Sequence, residues 1–182
     1  MNRIIPFAFL LLAPALPAAA EVSVYTVRHA ATKEDLRPND PKVPDAYALT
    51  GKFDRIVVMR MKYRTDLLHG MEAMVKKENI KNGVILSGIG SLRGYSVHNV
   101  ASRDYPTADV FTADPKMPAD LIGMNGLIVN GKIHAHIMMG IGDKALAYAG
   151  HLEPGSEVLT YAIVTVGVLD TDLGRVDDAT YR

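Results

Sequence analysis

The dipeptide Asn130-Gly131 stands between two apolar runs, GLIV and KIHAHIM, and restricts the fold of this chain more than any other pair of neighbours. Asn-Gly between alternating hydrophobic residues favours a two-residue turn with positive φ at both positions, because its twist matches that of the strands it joins. The flanking segments are therefore expected to fold back as an antiparallel hairpin. One residue separates His134 from His136, so on an extended strand both imidazoles leave the same face. His151 follows turn signals at Gly140 and Gly142-Asp143, a spacing that lets a neighbouring antiparallel strand return a third imidazole beside the pair. Three neutral imidazoles with no fourth protein ligand nearby suit a divalent metal such as zinc, with one coordination position left for water or substrate.

A chain of 182 residues is expected to form one domain with a real core. With 48% hydrophobic and 22% charged residues it is not a disordered chain. The formal net charge of +0 leaves no global pull toward nucleic acid or anionic lipid. Lys76-Lys77 reads as an ordinary solvated helix face. The absence of cysteine removes disulfides, thiolate metal sites and cysteine nucleophiles together.

Residues 1–20 read as a signal peptide. Arg3 supplies the positive end, IIPFAFLLLAPAL the apolar stretch, and Ala18-Ala19-Ala20 a small-residue cleavage site. Pro14 and Pro17 interrupt a run that is too short for a membrane span, and there is no cysteine to carry a lipid. A mature protein beginning near Glu21 and exported to a bacterial periplasm is expected.

Residues 21–52 form an N-terminal extension with one short strand, VSVYTV, and a proline-rich loop, RPNDPKVP. VYTVRHA, followed by NDP and LTG, resembles the opening of the histidine phosphatases, which would make His29 a nucleophile and Arg28 a phosphate clamp. Ala31 stands where that family usually has Glu, and FDRIVVMRMK reads as a strand where a helix would follow. His29 is accordingly expected to be an exposed residue of the extension.

The main domain spans residues 53–170. Thr65-Asp66 offers an N-cap for a helix to about Asn79, with Leu67, Leu68, Met71, Met74 and Val75 on one apolar stripe. VILSGIGSLRGYSVHNV reads as two short strands interrupted by a glycine-rich segment. GIGSLRG lacks the Gly-Lys-Ser/Thr of a phosphate loop and follows a helix instead of preceding one, so a bulge or tight connection is expected. His69 and His98 read as surface or structural histidines. Ala101 to Pro118 reads as a loop, and EVLTYAIVTVGVL as a central strand. The polar residues 171–182 read as a fraying tail.

In this order the elements resemble the PPC (plants and prokaryotes conserved) domain, from about Phe53 to Leu169. DLLHGMEAMVKKENIKNGVILSGIGSLRG is close to that family's helix and following strand, and IHAHIMMGIGDKALAYAGHL to its histidine-bearing segment. The resemblance implies an α/β (α+β) fold with a mostly antiparallel sheet and one principal helix, and a homotrimer. In prokaryotic members it also implies a metal, commonly zinc, on the histidines matching His134, His136 and His151. Ala149-Gly150 replaces the usual Gly-Gly pair, and EPGSEV follows where the next strand would start. Plant members bind DNA through a separate basic AT-hook; this chain has none, so nucleic acid is not an expected partner.

The same histidine pattern, without the catalytic acids, is similar to that of acetolactate decarboxylase, a zinc-dependent lyase. A metal with an open position polarises a carbonyl oxygen or lowers the pKa of a water. Arg60, Arg93 and Glu153 are the nearest candidates to clamp an anion or move a proton, and no catalytic residue is assigned. The expectation is a metal-dependent lyase or hydrolase acting on a small oxygenated molecule, or else a binding or assembly module with a structural or sensory metal.

Overall fold

The computed structural model describes residues 25–30, 40–103, 105–143 and 146–176, so the expected signal peptide lies outside the described residues. The chain runs β1 (Tyr25–His29), β2 (Phe53–Lys62), α1 (Leu67–Lys77), β3 (Gly83–Leu92), β4 (Tyr95–Val100) and β5 (Asp109–Asp114). It continues through β6 (Ala119–Val129), β7 (Lys132–Ile141), β8 (Leu146–Leu152) and β9 (Val158–Leu169). Among the described residues all nine strands join one sheet in the order β1-β5-β4-β8-β7-β6-β3-β9-β2, and each pairing is antiparallel. The expected α+β class, a mostly antiparallel sheet with one helix, is what forms.

Helix α1 starts where the sequence supplies a cap. The Asp66 side chain accepts the His69 N–H at 3.0 Å, and Lys76 and Lys77 close the last turn, where the helix dipole favours positive charge. Leu67, Met71 and Val75 are buried in one cluster with Met59, Met61, Ile85, Leu92 and Met139, and Met74 packs against it, so the helix methionines serve the core.

The sheet is curled rather than flat. Arg93-Gly94 is a two-residue link between β3 and β4, yet β6, β7 and β8 stand between those strands in the sheet. Across a flat sheet that separation would be about 19 Å, whereas Leu92 to Tyr95 can reach about 11 Å at most. The curl gathers buried side chains from β2, β3, β4, β6, β7, β8 and β9 into one cluster around α1.

Strand alternation then decides which side chains face outward. Ala135, Ile137 and Met139 of β7, Val97 of β4 and Leu152 of β8 are buried, so their neighbours His134, His136, His98 and His151 lie on the opposite face. The hairpin turn forms as expected, with Asn130 at φ 51°, Gly131 at φ 79° and Val129 paired to Lys132.

Three expectations need correction. The 101–118 loop contains strand β5, because Pro106, Pro115 and Pro118 flank DVFTAD without entering it. The glycine-rich segment does not lie wholly between two strands: β3 runs through Gly88 and Gly90, with register shifts between Ile85/Ser87 and Gly90/Leu92, and Arg93-Gly94 alone makes the link to β4, so the expected bulge and tight connection both form. The end of the chain does not fray directly after Asp170. Leu173 is buried, and the Tyr47 hydroxyl donates to the Arg175 carbonyl. Among the described residues no helix is long and apolar enough to cross a membrane.

Candidate metal centre

A single cross-strand row builds the site. His136 of β7 is the register partner of His151 of β8, which is in turn the partner of His98 of β4, followed by Phe111 of β5. Directly opposed residues in antiparallel strands share a face and hold their side chains within contact. His134 enters the same cluster two residues along β7, as the spacing of the pair requires.

Gly150 makes the close approach of β8 to β4 achievable. A Cβ there would lie 2.8 Å from the His98 carbonyl oxygen and 2.9 Å from Val97 Cβ. Ala149 occupies the position where a second glycine was expected and is exposed, so the substitution of Gly-Gly by Ala-Gly leaves the strand contact intact.

The three predicted rings converge. Nε2 of His136 lies 3.4 Å from Nε2 of His134. Ring centroids are 5.4 Å apart for His134–His136, 5.2 Å for His136–His151 and 4.7 Å for His134–His151. Nitrogens sharing one zinc ion at tetrahedral angles stand about 3.3–3.4 Å apart, with ring centroids near 5.2 Å. The donor set and its spacing therefore fit a divalent metal, and the ligand atoms of all three lie within 4.8 Å of one another. His134 and His136 are exposed, which leaves the cluster open on the solvent side.

Burial and neighbouring imidazoles act in one direction here. Desolvation, then the positive forms of His98, His134 and His136, push the His151 pKa down to about 4. Desolvation, then His134 and His98, lower that of His136. Both rings are neutral near pH 7 and offer nitrogens without a proton to displace.

His98 belongs to this cluster as a structural histidine, a place in the site that its sequence reading did not assign. Its ring stacks on His151 at 4.4 Å between centroids with 29° between planes. Its Nδ1 is 2.6 Å from Glu153 Oε1. The Glu153 N–H donates to the Ser96 carbonyl at 3.1 Å, and the buried Ser156 hydroxyl both accepts the Ser96 N–H and donates to the Ser96 carbonyl. This knot holds the β8–β9 connection against β4 and so places Glu153 beside His98. The signal available in sequence was only that His98 shares the strand period with Val97.

Of the other candidates, Glu153 reaches the cluster and the two arginines do not. Arg60 lies over the Tyr161 ring on edge strand β2. Arg93 pairs with Glu157 at 3.3 Å and covers the Tyr63 ring. His29 is exposed on the opposite edge strand, against Phe111 at 4.7 Å, and His69 is exposed on α1.

An antiparallel sheet wrapped on one helix, with convergent imidazoles on its outer face, defines an α+β domain built around a histidine cluster. Residues 48–170 match the Plants and Prokaryotes Conserved (PCC) domain, and the chain belongs to that family. A metal-containing protein from Archaeoglobus fulgidus is 18% identical with a TM-score of 0.58, covering 70% of this chain and 88% of its own. A plant- and prokaryote-conserved (PPC) protein from Pyrococcus horikoshii is 23% identical with a TM-score of 0.57, covering 70% and 87%. A putative DNA-binding protein from Bacteroides thetaiotaomicron is 18% identical with a TM-score of 0.54, covering 67% and 86%. At these identities the likeness is one of fold. No curated protein matches the chain.

Proposed function

We propose that this is an exported PCC-domain protein whose His134, His136 and His151 hold one divalent metal, zinc by the character of the donors, at a site that serves a small oxygenated molecule in a lyase or hydrolase reaction. The observation that carries the assignment is the 3.4 Å separation of the His134 and His136 Nε2 atoms, with His151 closing the triangle. The metal content of the Archaeoglobus neighbour is in keeping with it. Zinc on three imidazoles supplies Lewis acidity toward an oxygen at its remaining position. The chain's own residues keep the His136 and His151 nitrogens unprotonated, and Glu153 fixes the orientation of His98 beside them.

A small-molecule role is preferred over a structural metal because His134 and His136 are exposed rather than enclosed. DNA binding is not adopted: the net charge is +0 and the chain carries no basic hook. The deciding experiment is elemental analysis of the purified protein, with one zinc per chain expected and its loss expected in His136→Ala. Absence of metal from protein refolded with excess zinc would end the assignment.

Self-assembly, as a homotrimer, belongs to the same proposal. Ile56, Val58, Ile89, Ile122, Leu159 and Tyr161 are large, exposed and carried by strands β2, β3, β6 and β9, more apolar surface than scattered exposure accounts for. Sedimentation equilibrium should give three times the chain mass, and Ile89→Asp should reduce it; a monomeric wild type would refute assembly. Export predicts that the protein recovered from a periplasmic fraction begins near Glu21.

A further inference from the structure

Beside the histidine cluster lies a cavity of ≈ 430 Å³, lined among others by Leu127, Val129, Lys132, His134, His151 and Val176. Its volume is at the small end of ligand pockets, and its walls have the usual character of such sites, mostly aliphatic with few polar groups. The β6–β7 register sets two of those walls. Leu127 is the partner of His134, and Val129 the partner of Lys132, so both aliphatic side chains share the face of the histidines. Lys132 and His134 are two residues apart on one strand, roughly 7 Å along it. Among the described residues that line it, no acidic side chain neutralises the Lys132 ammonium.

The third wall comes from outside the family domain. Val176 follows the matched residues 48–170, and Tyr47 precedes them. Leu173 is buried, the Tyr47 hydroxyl donates to the Arg175 carbonyl, and the Arg175 guanidinium lies 5.7 Å from the centre of the Tyr47 ring. The two flanks of the domain thus tie each other down and deliver Val176 to the cavity mouth.

We propose that this cavity binds a short-chain aliphatic monocarboxylate. Its carboxylate pairs with Lys132, its body lies on Leu127, Val129 and Val176, and its far end faces His134 and His151. Only the last statement rests on the metal assignment: the group turned toward the histidines is the one the metal would act on. The cation supplies charge selection, and the aliphatic walls near a roughly 7 Å span limit length.

The test is calorimetric titration of the full-length zinc-supplemented protein with sodium butyrate and with butyramide, its uncharged counterpart. Metal content is measured on the same samples. Butyrate is expected to bind, butyramide at least tenfold more weakly. Lys132→Met should weaken butyrate at least tenfold while Lys132→Arg restores it. Val176→Asp should weaken it as well, by placing an anion against the carboxylate. Lys132 is exposed on its strand, so its replacements leave the core untouched.

Butyrate binding that is equal in wild type and Lys132→Met overturns the proposal, as does a metal-bearing protein that binds neither compound. Loss of butyrate binding in His136→Ala with no effect of Lys132→Met would put the carboxylate on the metal, and also overturns it. Lys132-dependent binding by a protein that carries no zinc upholds the cavity while the metal assignment fails.

Discussion

Replacing His98 with alanine distinguishes a supporting ring from a ligand. The wild-type ring stacks on His151 at 4.4 Å and 29°, and its Nδ1 is 2.6 Å from Glu153. Rings that share one tetrahedral zinc stand near 5.2 Å apart; His98 is closer to His151 than that, stacked on it, with its Nδ1 turned to Glu153. Its position is that of a ring that fixes the rotation of His151, itself held by a carboxylate. Removing an outer partner of this kind lowers metal affinity about 10–100-fold, which is about 1.4–2.7 kcal/mol.

Part of that loss is the stack, worth about 0.5–1.5 kcal/mol. His98→Phe keeps the stack and removes the Glu153 hydrogen bond, so it should retain affinity within several-fold of wild type. The assay is zinc competition against a chromophoric chelator, repeated with cobalt to read the ligand field. The expected result is weaker binding in His98→Ala with an unchanged cobalt spectrum. Loss of binding as complete as that of His136→Ala would make His98 a ligand, and unchanged affinity would mean that it supports nothing; either result refutes the reasoning.

Metal-free protein should lose stability as pH falls. His151 titrates near 4 in the folded chain against about 6.5 unfolded, and His136 is also lowered, so the unfolded state binds more protons between those values. The stabilisation is complete above about pH 6.5 and is lost toward pH 4, about 1–2 kcal/mol for His151 once solvent screening of the half-exposed ring is allowed for, readable from urea midpoints at several pH values; a flat profile counts against the burial. Gly150→Ala should cost about 1–3 kcal/mol and weaken zinc binding, since its Cβ would press on the His98 carbonyl and Val97; an unperturbed midpoint would show that β4 and β8 have room. Asp66→Ala removes the acceptor for the His69 N–H at 3.0 Å and the Gly155 N–H at 2.6 Å, and should cost about 1–2 kcal/mol in chemical denaturation.

The convergence of His134, His136 and His151 was legible because each step toward it follows a local rule. The Asn-Gly turn fixes the hairpin, the one-residue gap fixes a common face, and the next strand is the nearest place for a third ring. His98 was not legible, because its role depends on β4 lying beside β8, a neighbourhood set by the curl of the sheet and absent from the strand's own period. Strand β5 was hidden by its boundaries: aspartates at both ends and prolines around it outweighed the alternation of VFTA. The packing of residues 171–176 rests on one apolar side chain, Leu173, and a bond from Tyr47, which no periodic pattern announces. The arginines failed for the opposite reason, since each found a local partner, Tyr161 or Glu157.

The two faces of the sheet answer to different demands. The inner face needs only aliphatic volume at a period of two, a demand many sequences satisfy, and neighbours at 18–23% identity share the fold. The outer face carries the imidazoles, whose replacement would leave the core of Val97, Ile137 and Leu152 untouched. Chemistry and fold are in this sense separable along each strand, residue by residue. The wall that closes the cavity is separable again, because Tyr47 and Val176 stand outside the shared domain. It follows that ligand choice can change through the flanks while the histidine cluster stays in place, and that trimming residues 171–182 should alter butyrate affinity without altering zinc content. A truncated chain that loses its zinc would instead tie the flank to the integrity of the centre itself.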